Sequence, residues 1–310
     1  MTQDDSFNPC PGHPEDLGQD IRRILAPNPS PMTFRGTNSY LLGRAGLAVI
    51  DPGPDDPAHL QAILDAVQPG QRITHILVTH AHLDHSPLAA RLSAATGAPV
   101  LAYGPASAGR SAVMQKLADT GLRDGGEGID HSFLPDNTLA DGQVIDGDGW
   151  RITALWTPGH LGNHMCFAMG DVVFTGDLVM GWASSLVSPP DGDLTDFMAS
   201  CEHLRQRPAQ VFHSGHGAPI TAPQTRLEWL MSHRKSREAA ILAHLHNGPS
   251  GAGALAQAIY TETPPALLPA ATRNVLAHLI DLMQKNKVSP LDNLSAQSRF
   301  ELLVKTTKEV

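Results

Sequence analysis

The feature that most constrains this chain is a run of polar residues directly after a predicted buried strand. Residues 73–79 (ITHILVT) have the apolar, β-branched character of an interior strand, and the next six residues read HAHLDH. Imidazoles and carboxylates bind zinc-like divalent metals. Alternation places the first two histidines on one side, and the following turn directs the last two ligands elsewhere, which indicates two neighbouring metals. The four candidate ligands are His80, His82, Asp84 and His85.

Three more candidate ligands share this context, because each follows a strand-like run and lies beside a glycine that permits a sharp turn. They are His160, Asp177 and His216. Loops at strand ends collect at one edge of a sheet, so these residues are expected to converge on the first cluster. Taken singly, each is equally well explained as a turn aspartate or as a histidine satisfied within a loop.

The order of predicted elements indicates an α/β core followed by a helical appendage. Residues 1–31 are rich in proline and show little periodicity, so they are expected to form an extended arm of a domain that covers residues 1–220. From residue 221 onward, apolar spacing predicts helices at about 223–246, 252–260 and 266–285. Short strands at Val288 and at 299–304 complete a winged-helix-like module over residues 221–310.

The composition excludes several classes of protein. Among 310 residues, the three cysteines contain no CxxC pair, which argues against a disulfide framework or a thiolate zinc site. No signal peptide or long apolar run is present, so a cytoplasmic location without membrane contact is expected. The net charge is −9, but residues 221–310 carry 10 Lys and Arg against 7 Asp and Glu, a local balance of +3. This module is therefore the part of the chain that could contact a polyanion.

The ligand pattern resembles the metallo-β-lactamase superfamily, whose signature is an aspartate after an early strand, the motif HxHxDH, and then a later histidine, aspartate and histidine. The early aspartate corresponds to Asp51, and the resemblance runs over about residues 36–219. It implies an αββα sandwich with the metals at one edge. Two divalent ions, zinc above all, would hold a bridging hydroxide that attacks a carbonyl carbon or a phosphorus.

The resemblance also implies a role for each candidate ligand. Asp177 would bridge the two metals and act with Asp84 as a catalytic carboxylate, while Asp51 would orient ligands by hydrogen bonds. The first metal would be bound by His80, His82 and His160. The second metal would be bound by Asp84, His85 and His216.

Segments outside the ligands are similar to the lactamase-beta-like 2 group, which includes members that cleave single-stranded RNA. These segments are 35–40 (RGTNSY), 157–160 (TPGH), 190–193 (PDGD) and 232–238 (SHRKSRE). The resemblance therefore favours an RNA phosphodiesterase. A thioesterase or lactonase of the glyoxalase II type, acting on a small molecule, is the alternative, and a non-catalytic metal-binding or nucleic-acid-binding regulator is a third. β-Lactamase activity is disfavoured, because zinc β-lactamases generally lack an aspartate at the bridging position.

Four other polar residues have two interpretations each. His164 is expected to be packed behind the ligands and to orient them, although a proton donor is the alternative. Arg234, Lys235 and Arg237 are expected to contact an anionic substrate, or else to form a solvated helix face. A homodimer is also expected.

Overall fold

In the computed structural model, which describes residues 6–122 and 128–303, two β-sheets lie face to face. The first sheet follows chain order: β1 (Pro14–Gly18), β2 (Ile21–Leu25), β3 (Asn38–Leu42), β4 (Gly46–Ile50), β5 (Arg72–Leu77), β6 (Val100–Ala102) and β7 (Asn137–Thr138). The second contains β8 (Val144–Asp146), β9 (Arg151–Trp156), β10 (Met165–Met169), β11 (Val172–Gly176) and β12 (Val211–Ser214). Its spatial order is β12-β11-β10-β9-β8, with β11 and β12 parallel.

Alternation along the central strands of the first sheet supplies two cores. Leu41 and Val49 point to the outer face, where they pack with helices, while Leu42 and Ile50 point to the inner face. The inner face meets residues such as Phe167 of the second sheet. Strands buried on both faces read as continuous apolar runs, which is the pattern of β4 (GLAVI).

Helices cover the outer face of each sheet, which completes the expected αββα sandwich. The first sheet is covered by α1 (Pro57–Asp65) and α2 (Leu88–Thr96), and the second by α4 (Leu194–Arg205) and α5 (Pro223–Leu245). Between them in the chain lies α3 (Ala112–Asp119). The Ser86 hydroxyl does not cap α2; it lies 2.9 Å from the Asp130 carboxylate, to which it donates, and 3.1 Å from the His82 carbonyl.

The C-terminal segment forms the expected winged-helix domain, with α6 (Ala252–Ile259), a 3₁₀ turn (Pro265–Leu267) and α7 (Leu268–Gln284). Its small sheet contains β13 (Ser250–Gly251), β14 (Val288–Pro290) and β15 (Arg299–Leu302). Met114 and Leu117 of α3 join the apolar core of this domain, so the two parts of the chain share buried surface. Across residues 6–122 and 128–303, no helix combines the length and the apolar character that crossing a membrane requires.

The expectation of an extended arm at residues 1–31 is wrong for residues 14–25, because β1 and β2 belong to the first sheet, while residues 1–5 lie outside the described residues. Ile21 and Ile24 of β2 are buried on opposite faces. Two arginines in β2 interrupt its apolar pattern, so the strand is not apparent from the sequence. Both arginine side chains have partners elsewhere in the fold. Arg23 pairs with Glu15 on β1, and Arg22 donates to the Ala66 carbonyl and to Gln71.

Substitution of Ile24 tests whether the N-terminal strands are integral to the core. We expect Ile24→Ala to lower the free energy of unfolding by about 2–5 kcal/mol, the usual cost of deleting a fully buried branched side chain. Met32→Ala is the control, since Met32 is 46% exposed in the next loop, and it should change stability by less than about 0.5 kcal/mol. Urea unfolding measures both, and equal stability of the two variants would contradict the packing of β2.

Candidate metal centre

The structure brings all seven predicted ligands together. They follow the carboxyl ends of four strands: β5, β9, β11 and β12. They form two groups, and within each group the potential ligand atoms lie within 4.8 Å of one another. The first group contains His80, His82 and His160. The second contains Asp84, His85, Asp177 and His216.

In the first group three ring nitrogens point at one another. The Nδ1 atom of His82 lies 2.9 Å from Nε2 of His80 and 3.1 Å from Nε2 of His160. Neutral imidazole nitrogens that converge in this way suit a single zinc-like ion. His82 is partly exposed while the other two are buried, so this group is open to solvent on the His82 side.

In the second group two histidines face two carboxylates. His216 Nε2 lies 3.1 Å from Asp84 Oδ2 and 3.4 Å from Asp177 Oδ2, and His85 Nε2 lies 3.5 Å from Asp177 Oδ1. Nε2 of His85, Nε2 of His216 and Oδ1 of Asp177 are buried, and none of the three has a partner in good hydrogen-bond geometry. Unpartnered buried donors and acceptors are costly, and a divalent cation would satisfy all three. The residues present therefore fit a metal ion.

Asp177 is positioned between the two groups. Its Oδ2 atom is 3.4 Å from His216 Nε2 in the second group and 3.8 Å from His160 Nε2 in the first. The neighbouring loop makes room for it, because a Cβ atom at Gly215 would lie 2.5 Å from Asp177 Oδ1. One carboxylate therefore faces both potential ions.

Asp51 lies where the expected orienting role requires it. Its carboxylate accepts from the Thr79 amide and hydroxyl, both at 2.7 Å, and contacts His85 Nδ1 at 2.9 Å. Because the Thr79 hydroxyl donates to Asp51, it can accept from Nδ1 of His80, 2.9 Å away. Both histidines thus turn Nε2 toward the candidate metals. Thr79 was missed at the sequence level, although its place immediately before HxHxDH is a usable signal.

The two histidines on later loops are oriented by backbone carbonyls. His160 Nδ1 lies 2.7 Å from the Leu186 oxygen, and His216 Nδ1 lies 3.0 Å from the Gly36 oxygen. Such contacts fix the tautomer and the direction of a ligand. No side-chain signal could have revealed them, since every residue has a carbonyl.

His164 is fully buried behind the first group. Its ring lies 5.1 Å from that of His80, and its Nδ1 atom is 3.1 Å from the Thr157 hydroxyl. A Cβ atom at Gly176 would come within 2.7 Å of its Nε2. Burial and neighbouring histidines hold its pKa well below the usual range, so His164 is neutral. This placement suits a packed residue better than a proton donor to a substrate.

Of the three basic residues expected to contact a substrate, Lys235 is exposed on α5. The expectation is wrong for Arg234, which is 2% exposed and donates to the carbonyls of Ser184 and Ser185. Arg237 is half-buried, donates to the Ile259 carbonyl and lies over the Tyr260 ring. Helix α5 directs the side chains of Arg234 and Arg237 toward neighbouring segments of the protein. A count of charges along the chain does not show this direction.

The histidines of the two groups differ in proton affinity: those of the first group are neutral and those of the second are protonated. Burial, followed by neighbouring histidines, lowers the pKa of His82 to about 3, and burial lowers that of His160, so the first group is neutral. In the second group burial opposes the charged form of His216, but Asp177 and Asp84 outweigh it and raise its pKa to about 10. Carboxylates likewise raise the pKa of His85 well above its usual value. Replacing two protons by one divalent cation leaves the charge of this group unchanged.

Metal binding should therefore release protons at the second group but not at the first. Because the pKa of His216 is about 10, its proton is present at pH 7 and an incoming ion must displace it together with that of His85. We expect about two protons per ion there, so affinity rises with pH, and none at the first group. Titration calorimetry in buffers of different ionisation enthalpy measures this. Equal proton release in both steps would contradict the assignment.

Comparison with known proteins agrees with this architecture. Residues 32–216 match the family model of the metallo-beta-lactamase superfamily, and residues 252–294 match that of the beta-lactamase associated winged helix domain. The Beta-lactamase-like protein 2 homolog of Drosophila melanogaster is 31% identical over 88% of this chain and 90% of its own length. An atrochrysone carboxyl ACP thioesterase of Aspergillus fumigatus is 30% identical over 74% of this chain and 66% of its own length.

Among solved structures, a metallo-beta-lactamase family protein from Thermus thermophilus superposes with a TM-score of 0.74. It is 26% identical in sequence, and the match covers 93% of this chain and all of that one. A match over 93% of this chain takes in the sandwich and most of the winged-helix domain. The chain therefore belongs to the metallo-beta-lactamase superfamily and carries its associated winged-helix domain.

Proposed function

We propose that this protein is a two-metal hydrolase that cleaves an ester or thioester of an apolar acyl group. The observation that carries the proposal is an aromatic-walled pocket of about 240 Å³ beside the loop of His216. Phe7, Phe34 and Trp182 stack in sequence along it, with ring centroids 6.0 and 5.3 Å apart. An apolar cleft next to convergent polar groups is the usual form of a small-molecule site.

The pocket is attached to the candidate metal centre through two short segments. Phe34 lies two residues before Gly36, whose carbonyl contacts His216. Trp182 packs against Gly217, where an added Cβ atom would lie 2.8 Å from the indole. The pocket therefore borders the loop that carries His216, and the proposal places the acyl chain of the substrate there.

The chain's own residues define how a substrate approaches. Among the ligands His82 and Asp84 are partly exposed, the Asp84 side chain at 27%, so the scissile bond arrives on this side. Asp177 and Asp84 would hold the second ion, and Asp177 also faces the first ligand group. Bound divalent ions, for which zinc suits these nitrogen and oxygen ligands, would supply an acidified water and polarise the scissile bond.

The Aspergillus relative supports carbonyl chemistry, since it is named as a thioesterase that acts on an acyl carrier protein substrate. Phosphodiester cleavage in single-stranded RNA is the second candidate. The +3 balance of residues 221–310 and exposed Lys235 favour it. Against it, Arg234 and Arg237 donate to backbone carbonyls, which leaves fewer cations to neutralise phosphates.

Removal of one ligand should separate metal binding from folding. We expect Asp84→Ala to retain about one tightly bound ion per chain and to lose turnover, because the second ion loses a carboxylate ligand. His85→Ala should behave alike. Asp65→Ala, which removes an exposed carboxylate on α1, should keep both ions and full activity. Elemental analysis and initial rates measure this, and full turnover of Asp84→Ala would overturn its place in the site.

Truncation of the pocket wall should distinguish the two candidate substrates. We expect Trp182→Ala to lower kcat/KM for an aromatic acyl thioester by about tenfold, equivalent to about 1.4 kcal/mol of lost contact, but hardly for an acetyl thioester. Trp229→Ala is the matched control, since it removes a half-buried indole that stacks on His233 outside this pocket.

The substrates tested with these variants should also include a lactone, S-lactoylglutathione, a chromogenic β-lactam and single-stranded RNA. RNA cleavage that weakens with added salt and is reduced in Lys235→Ala, without thioester turnover, would transfer the assignment to the phosphodiesterase candidate.

A further inference from the structure

Two helices of the C-terminal part hold the segment that joins β11 to α4. Arg234 on α5 donates to the carbonyls of Ser184 and Ser185, and its other terminal nitrogen donates to Asn274 Oδ1 on α7 at 2.9 Å. The same Asn274 oxygen accepts from the Val187 amide at 3.0 Å. Arg234 and Asn274 thus fix the backbone at residues 184, 185 and 187.

Leu186 lies between these fixed positions, and its carbonyl is the partner of His160. The distance from that oxygen to His160 Nδ1 is 2.7 Å. The Val187 amide belongs to the same peptide group as the Leu186 carbonyl, and the Ser185 carbonyl belongs to the preceding one, so Asn274 and Arg234 together set the direction of the Leu186 carbonyl. The carbonyl in turn sets which way Nε2 of His160 points.

A second path leads from Arg234 to the other side of His160. Its guanidinium lies over the Phe197 ring at 5.0 Å. The backbone of Phe197 packs against Gly159, where an added Cβ atom would lie 2.3 Å from the Phe197 Cα, and Gly159 has a φ of +139°. The Asp193 amide also donates to the Gly159 carbonyl at 2.9 Å. The residue immediately before His160 is therefore held by the surface that Arg234 covers.

We propose that Arg234 and Asn274 are positioning residues for His160, through which α5 and the winged-helix domain complete the first metal site. A buried guanidinium is costly to desolvate, and the three oxygens that accept from Arg234 are neutral amide oxygens. Apolar packing alone would hold two helices together without this cost, so the cation's specific contribution is to orient the loop. The inference holds whichever ester or phosphodiester the site hydrolyses.

The test measures stepwise metal affinity rather than activity. Cobalt is titrated into metal-free protein against a chromophoric chelator, and the two binding steps are assigned with His160→Ala and His85→Ala. We expect Arg234→Met and Asn274→Leu each to weaken the His160 step by about 10- to 100-fold, the usual effect of removing an orienting partner, and to leave the other step unchanged. Asn274→Asp, which keeps an acceptor oxygen for both donors, should restore affinity to within about threefold of wild type.

Arg237→Met is the matched control. It removes a guanidinium from the same helix that also donates to a backbone carbonyl, but at Ile259 rather than in the loop. It should bind both ions as the wild type does, even where its thermal unfolding midpoint falls as far as that of Arg234→Met. Three outcomes would overturn the proposal: unchanged affinity in Arg234→Met and Asn274→Leu, equal weakening of both steps, or the same loss in Arg237→Met.

Discussion

The interaction on which this structure most depends is the anchoring of each ligand histidine by its second ring nitrogen. Four histidines turn Nδ1 toward an oxygen of the protein, namely Thr79, Asp51, Leu186 and Gly36, and so present Nε2 to the candidate metals. His82 presents Nδ1 instead. Without these contacts the four rings would be free to rotate, and their Nε2 atoms would no longer be directed at the candidate metals.

Each anchor comes from a different part of the chain, which links the site to the whole fold. Asp51 follows β4, Gly36 precedes β3, and Leu186 lies in the segment held by α5 and α7. Helices α5 and α7 therefore contact the site through the backbone of the segment that contains Leu186. This arrangement explains why Arg234, a charged residue in a polar helix, is buried.

Protons take the place of cations in the second ligand group. Asp84 and Asp177 stay ionised there because burial, which opposes ionisation, is outweighed by His85 and His216. A divalent ion replaces two protons without a change in net charge, so the same packing serves both states. The first group carries no charge that protons would have to balance, because burial keeps its histidines neutral.

By itself the sequence determined the α/β class, the winged-helix appendage and the seven candidate ligands that the fold brings together, because local periodicity and the HxHxDH spacing are properties of short segments. The tertiary structure alone decided the strand role of Ile21–Leu25, whose two arginines find partners on distant segments. It also decided that Arg234 faces inward and that the carbonyls of Gly36 and Leu186 orient histidines. Such contacts join residues far apart in the chain through groups that every residue carries, so no local pattern encodes them.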